Sequence, residues 1–153
     1  ISGFWKCKSY PHWVELIEIL KNLYNCSIFL VGGNDDKQWG REIEKQTECY
    51  NMIGKLNILE TAGLIKQCDL VISTDTSVFH IADALEVDGI VLFGPTLISK
   101  NGPLNNTIIP IRSPLECAPC QDSVLMNTCL DTSLCMNAID VGMIIATVRK
   151  ILA

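Results

Sequence analysis

The chain has 153 residues, 48% of them hydrophobic and 19% charged, the composition of one ordinary globular domain with a real core. Its formal net charge is −5 and it carries no basic run or stripe, which argues against nucleic acid as a partner. No apolar stretch reaches the ~20 residues of a membrane helix, and no N-terminal stretch has the pattern of a signal peptide.

Helical spacing runs through Trp13, Leu16, Ile17, Leu20 and Leu23. Ser27 to Val31 reads as a buried strand, ended by Gly32-Gly33. Asp35 or Asp36 opens a second helix to about Thr47, and Tyr50 to Ile53 is a weak strand closed by Gly54. Ile58 to Cys68 reads as a helix with Leu59, Ala62, Leu64 and Ile65 partly buried. A strand over 69–74 meets a helix over about 76–86, with Val78, Ile81, Ala82 and Leu85 at helical spacing. Gly89 to Phe93 is an apolar strand, 94–106 a loop, and Thr107 to Ile111 a last strand that Pro110 places at an edge. A cysteine-bearing loop spans roughly 112–137. Asp140 caps a terminal helix with Val141, Ile144, Ile145, Val148 and Leu152 along one face. Strands alternating with helices and lacking period-2 polarity predict a Rossmann-like, doubly wound parallel sheet covered on both faces.

Asp75-Thr76-Ser77-Val78-Phe79-His80 places a carboxylate, two hydroxyls and an imidazole where a strand ends and a helix begins. Ligands bind there in open α/β sheets, and the helix start offers N–H groups and partial positive charge to a phosphate. The same residues also serve as plain helix caps. Gly32-Gly33 lets backbone approach a ligand closely, but the spaced-glycine dinucleotide fingerprint is missing, so NAD is not indicated. Asp36, or its neighbour Asp35, is placed either to accept ribose hydroxyls or to complement a helix dipole in solvent. Four of the eight cysteines, Cys117, Cys120, Cys129 and Cys135, cluster, and their spacing admits tetrahedral zinc, disulfides or plain thiols. Cys7, Cys26, Cys49 and Cys68 read as small hydrophobes.

The combined pattern Asp-Thr-x-x-x-His, Ala-x-Ala-Leu and Val-x-Phe-Gly-Pro-Thr, over Asp75 to Thr96, resembles the donor-binding domain of family 9 glycosyltransferases, the heptosyltransferases of lipopolysaccharide core assembly and their relatives. The resemblance covers nearly the whole chain. It implies the C-terminal half of a B-type, two-domain fold, excised from a longer protein, as a first residue Ile1 instead of Met also suggests. It further implies an inverting transfer of a heptose-like sugar from a nucleotide diphosphate sugar to a glycan or glycolipid acceptor. No cofactor and no metal are implied. The setting would be cytoplasmic, peripheral at the inner membrane in the full-length protein. Residue by residue, Lys8 in Lys8-Ser9-Tyr10-Pro11 matches the family's Lys-x-Trp-Pro lysine, which reaches the donor phosphates. Gly33 and Asp36 match the Gly-Gly turn and the acidic residue on the nucleoside. Leu56, after Gly54-Lys55, matches the base-lining segment. Thr76, Ser77 and His80 match the phosphate loop, and Asp75 would either orient that loop or touch the sugar. The family's catalytic base lies in the N-terminal half, so no catalytic residue is assigned here, and this piece alone is expected to bind donor weakly without turnover.

Three departures mark a divergent sequence. Ser77 stands where the family usually has Gly, and its Cβ disfavours positive φ. Ala84-Leu85-Glu86-Val87-Asp88 replaces Ala-Leu-Gly-x-Pro, and Tyr10 replaces Trp. The alternative reading is therefore a degenerate, non-catalytic sugar-nucleotide-binding or interaction domain. A flavodoxin-like regulatory domain would leave the Phe-Gly-Pro-Thr segment without a role.

Overall fold

The computed structural model describes residues 6–122 and 133–153. Its elements, in chain order, are α1 (Trp13–Tyr24), β1 (Phe29–Leu30), α2 (Lys37–Gln46), β2 (Tyr50–Asn51), α3 (Ile58–Ile65), β3 (Val71–Thr74), α4 (Ser77–Ala84), β4 (Gly89–Phe93), α5 (Ile98–Asn101), β5 (Ile108–Arg112), α6 (Leu134–Asn137) and α7 (Val141–Ile151). Short 3-10 turns cover Lys6–Lys8 and Asn34–Asp36. All paired strands are parallel: β1 pairs with β2, and β3-β4-β5 form a second ladder.

β4 shows why the sheet is buried on both sides. Ile90 and Leu92 face one core with Leu16, Met136, Ile144 and Val148. Val91 and Phe93 face another, with Ile65, Phe79, Ala82 and Ile108. Successive strand residues point to opposite faces, so a strand covered by α1, α6 and α7 on one side and α3 and α4 on the other must be apolar throughout. Each such side chain contributes roughly 1.5–3 kcal/mol by burial. This is the Rossmann-like, doubly wound class that the alternating elements predict. Pro110 lies on β5, an edge strand, opposite Val91, where its missing N–H costs no ladder bond. Asp140 Oδ1 accepts the Gly142 N–H at 2.7 Å and caps α7 as expected.

Several elements differ from expectation. Of the strand predicted over 27–31 the register pairs are Phe29–Leu30, and the backbone bonds to the β2 segment run from the Ile28 carbonyl to that of Gly32, but Phe29 is 40% exposed, stacked on Tyr50 with ring centroids 4.9 Å apart. Leu59 is 80% exposed, not partly buried. The first turn of α3 projects outward, while Ile65 at its other end enters the core. That first turn is held by Asn57, whose side chain accepts from the Leu59 and Glu60 N–H groups while Glu60 accepts the Asn57 N–H. Leu152 follows the end of α7 and is exposed. The loop over 94–106 contains α5, and α6 ends the cysteine-bearing loop.

Candidate functional site

The chain from β3 turns at Thr74-Asp75 into α4. Thr76 takes the N-cap position in extended conformation, but its side chain makes no capping bond; its hydroxyl lies 3.2 Å from Ser73 Oγ. Hydroxyl capping by Thr76 is therefore not what holds this helix start. Ser77 opens α4 without positive φ and is exposed. The conformational objection to Ser in place of Gly does not apply here: Ser77 keeps the N–H in an ordinary helical conformation.

Asp75 is 5% exposed. Its Oδ2 accepts from Lys8 Nζ at 2.9 Å and from Asn101 Nδ2 at 3.0 Å, and Lys8 Nζ also reaches the Asp75 carbonyl at 3.2 Å. His80 Nε2 stands 3.8 Å from Oδ1, beyond hydrogen-bond reach and close enough for an ion pair when protonated. Burial pushes the Asp75 carboxyl up, but the Lys8 ammonium and the Asn101 amide more than offset it, and the carboxyl lies below its usual range. The buried Thr96 hydroxyl acts in the same direction without completing a hydrogen bond of good geometry.

Lys8 is carried to this point by its neighbours. Cys7 and Tyr10 are buried, and Tyr10 donates its hydroxyl to the Ile139 carbonyl at 3.1 Å. Burial first, then the carboxylates of Glu15 and Asp140, push that phenol far above its ordinary value, so it stays a donor. Tyr in place of Trp thus keeps the ring in the core and adds an anchor between the N-terminal turn and the α6–α7 link.

Beside this cluster a cavity of about 100 Å³ opens at the seam between β1 and β3. Trp13, Leu30, Asp36, Trp39, Thr74 and Thr76 are among the residues lining it. The seam separates the two ladders, which is where a doubly wound sheet reverses its winding and binds ligands. Asp36 is buried, and its Oδ2 accepts the Gly33 N–H at 3.2 Å. Asp35 is exposed in the same turn. A Cβ on Gly32 would stand 2.9 Å from Asp36 Oδ2, whereas one on Gly33 would meet nothing within 4 Å. Thus Gly32 makes room for the carboxylate, and Gly33 faces open space.

Of the eight site residues read from sequence, Lys8, Asp75, Thr76, Ser77 and His80 lie together at the β3–α4 crossing. Asp36 lines the adjoining cavity, with Gly33 bonded to it. Leu56 is half-buried on the link from β2 to α3, and it lines neither the cavity nor the Asp75 cluster. Asn101 and Thr96 were not singled out as site residues. Thr96 was visible as the last residue of Phe-Gly-Pro-Thr, just past the C-terminal end of β4, by the positional rule that marked Asp75. Asn101 carried no such signal. Cys117 is exposed, Cys120 and Cys135 are buried, and Cys129 lies outside the described residues. Among the described residues no group of three or more His, Cys, Asp or Glu side chains is arranged to hold a metal ion, and no helix is long and apolar enough to cross a membrane.

The fold and crossing define an α/β domain of the Rossmann-like class with its polar residues gathered at the carboxyl ends of the strands. Residues 2–130 match the profile of glycosyltransferase family 9 (heptosyltransferase), and the chain belongs to that family. It is 32% identical over 119 residues to lipooligosaccharide heptosyltransferase 2 of Haemophilus influenzae, covering 72% of this chain and 34% of that protein. Over the same shares it is 29% identical to lipopolysaccharide heptosyltransferase 2 of Salmonella typhimurium. The chain thus spans about a third of the length of these relatives. Its fold is similar to that of E. coli ADP-heptose LPS heptosyltransferase II, with a TM-score of 0.81 and 23% identity over 97% of this chain and 43% of that one. A family 9 glycosyltransferase from Veillonella parvula gives a TM-score of 0.82 at 17% identity, over 95% and 42%.

Proposed function

We propose that this chain is the donor-binding, C-terminal half of a B-type inverting glycosyltransferase that moves a heptose-like sugar from a nucleotide diphosphate sugar to a lipopolysaccharide-type glycan. The observation that carries this reading is the juxtaposition of Lys8 with the start of α4 at the seam of the sheet. A diphosphate laid on the Ser77 and Val78 N–H groups meets the positive end of the α4 dipole and a lysine ammonium within one region. The task of this half is to neutralise the leaving diphosphate as the glycosidic bond breaks, and to hold the sugar in line. Asp75 is too deeply placed and too strongly bonded to serve as a nucleophile. A carboxylate against phosphate would repel it, so the role of Asp75 is to fix Lys8 and Asn101. His80, half exposed on the same helix face, supplies a ring N–H toward the diphosphate. Asp36 lies by the cavity on the nucleoside side, and Gly33 leaves space for the ribose. Leu56 is assigned to the base, on the resemblance alone. The acceptor and the catalytic base belong to the other half, so this chain binds donor without turning it over.

A degenerate binding domain is the second reading, favoured by Glu86. Glu86 sits at φ +55, a left-handed position where the family has Gly. The departure affects the turn at the far end of α4 from the phosphate loop, about 12 Å along the helix axis, since α4 has 8 residues at ~1.5 Å each.

Isothermal calorimetry with ADP, UDP and GDP tests the proposal. Saturable binding of one of them, lost in Asp75→Ala with the fold intact, supports it. No heat from any of the three at millimolar ligand, with the full-length protein equally silent, sinks the donor-binding reading and leaves the degenerate one.

A further inference from the structure

The loop that carries Thr96 and Asn101 is anchored from behind by a residue that the site does not contain. Asp83, in the last turn of α4, is 4% exposed. Its Oδ2 accepts the Leu104 N–H at 2.8 Å and its Oδ1 accepts the Asn105 N–H at 3.1 Å. The Asn105 side-chain amide returns a bond to the Asp83 carbonyl at 2.6 Å. A buried carboxylate is costly unless it is well bonded, and here both oxygens close on consecutive backbone N–H groups of one loop. The anchor stands three residues past Asn101. Gly102 and Pro103 join it to α5, which ends at Asn101 and is a four-residue helix too short to persist without tertiary support. The other end of α5 is tied by Leu97 N–H to Gln121 Oε1 at 3.0 Å.

We propose that Asp83 is a positioning residue for the phosphate end of the site: by clamping Leu104 and Asn105 it keeps Asn101 on Asp75, and so keeps Lys8 beside the start of α4. α4 then acts as a strut. Its first turn faces the ligand, and its last turn fixes the loop that completes the polar cluster. The ligand part of this inference rests on the donor-binding reading; the clamp itself rests on geometry alone. Among the described residues the charged groups facing Asp75 are Lys8 from the N-terminal turn and His80 from α4. Lys100, next to Asn101, is paired with Asp122 at 2.7 Å.

The test compares the parent with Asp83→Asn, Asn101→Ala and the double variant. The first readout is the titration of the Asp75 carboxyl by carbon-13 NMR. Asp83→Asn is expected to move it upward, in the direction of Asn101→Ala, and the double variant no further than Asn101→Ala alone. An Asp75 titration unchanged by Asp83→Asn overturns the proposal whether or not any nucleotide binds. The second readout is ADP affinity. Asp83→Asn is expected to weaken it about threefold to tenfold, the effect of one lost hydrogen bond, and again the double variant matches Asn101→Ala. Losses that simply add would show that Asp83 does not act through Asn101. A moved Asp75 titration in a parent that binds none of ADP, UDP and GDP upholds the clamp and removes the donor reading. If Asp83→Asn fails to fold, Leu104→Pro at this exposed position, which keeps the carboxylate and removes the N–H that its Oδ2 accepts, gives the same upward movement at smaller size; no movement there overturns the proposal.

Discussion

A buried carboxylate needs compensation, and Asp75 finds it in Lys8 and Asn101. Because these donors hold its carboxyl below the ordinary value of about 3.9, the folded chain binds that proton more weakly than the unfolded chain does. The pair therefore contributes its full stability above about pH 4, and the contribution is lost as pH falls through the depressed folded value. Asp75→Asn is expected to lower stability at neutral pH by about 2 kcal/mol and to flatten the acid side of the stability profile. Thermal melts between pH 2 and 7 read both effects, and parallel profiles for parent and variant would contradict this assignment. Glu86 is the second informative residue. It ends α4 in a Schellman arrangement, with Val87 N–H on the Ala82 carbonyl at 3.0 Å and Glu86 N–H on the Asp83 carbonyl at 3.1 Å. Its left-handed φ is one that Gly adopts freely. Glu86→Gly is expected to stabilise the chain by about 1 kcal/mol, seen as a raised melting temperature with ADP affinity unchanged.

At the scale of elements, the local pattern carried what local physics determines. β4, α7 and the β3–α4 crossing were readable because their burial follows one period, 2 or 3.6, over their whole length. β1 was legible as a strand but not in its burial, because an unbroken apolar run does not show that Phe29 faces outward. Nor was the outward first turn of α3, where capping by Asn57 and Glu60, not burial, forms the helix. The site shows the same division. Asp75, Thr76, Ser77 and His80 follow from one strand-to-helix turn. Lys8 meets Asp75 across 67 residues, and Asn101 meets it from a loop without periodicity, so neither contact is written in any local spacing. Lys8 was reached through the family resemblance, and Asn101 only through the structure. The turn after β1 gives a prediction at this scale. Gly32→Ala pushes against the Asp36 carboxylate and is expected to cost about 1–3 kcal/mol. Gly33→Ala meets open space at φ −79 and leaves stability unchanged, but it is expected to weaken ADP binding if ribose approaches there. Urea melts and calorimetry separate the two variants; equal effects on both quantities would remove Gly33 from the site.

At the scale of the whole molecule, the two ladders meet at a seam whose carboxyl end is polar on one side and apolar on the other. Lys8, Asp75 and the start of α4 lie on the polar side. Trp13, Leu30 and Trp39 line the cavity beside it. A nucleoside diphosphate has the same division, a flat base and ribose at one end and two phosphates at the other. If this seam receives such a ligand, an ADP titration of the chain followed by amide chemical shifts reports it residue by residue. Binding there gives saturating shifts confined to Gly33, the first turn of α4 and the loop around Thr96 and Asn101, abolished in Asp75→Ala. Shifts that saturate elsewhere, or that persist unchanged in that variant, would contradict it.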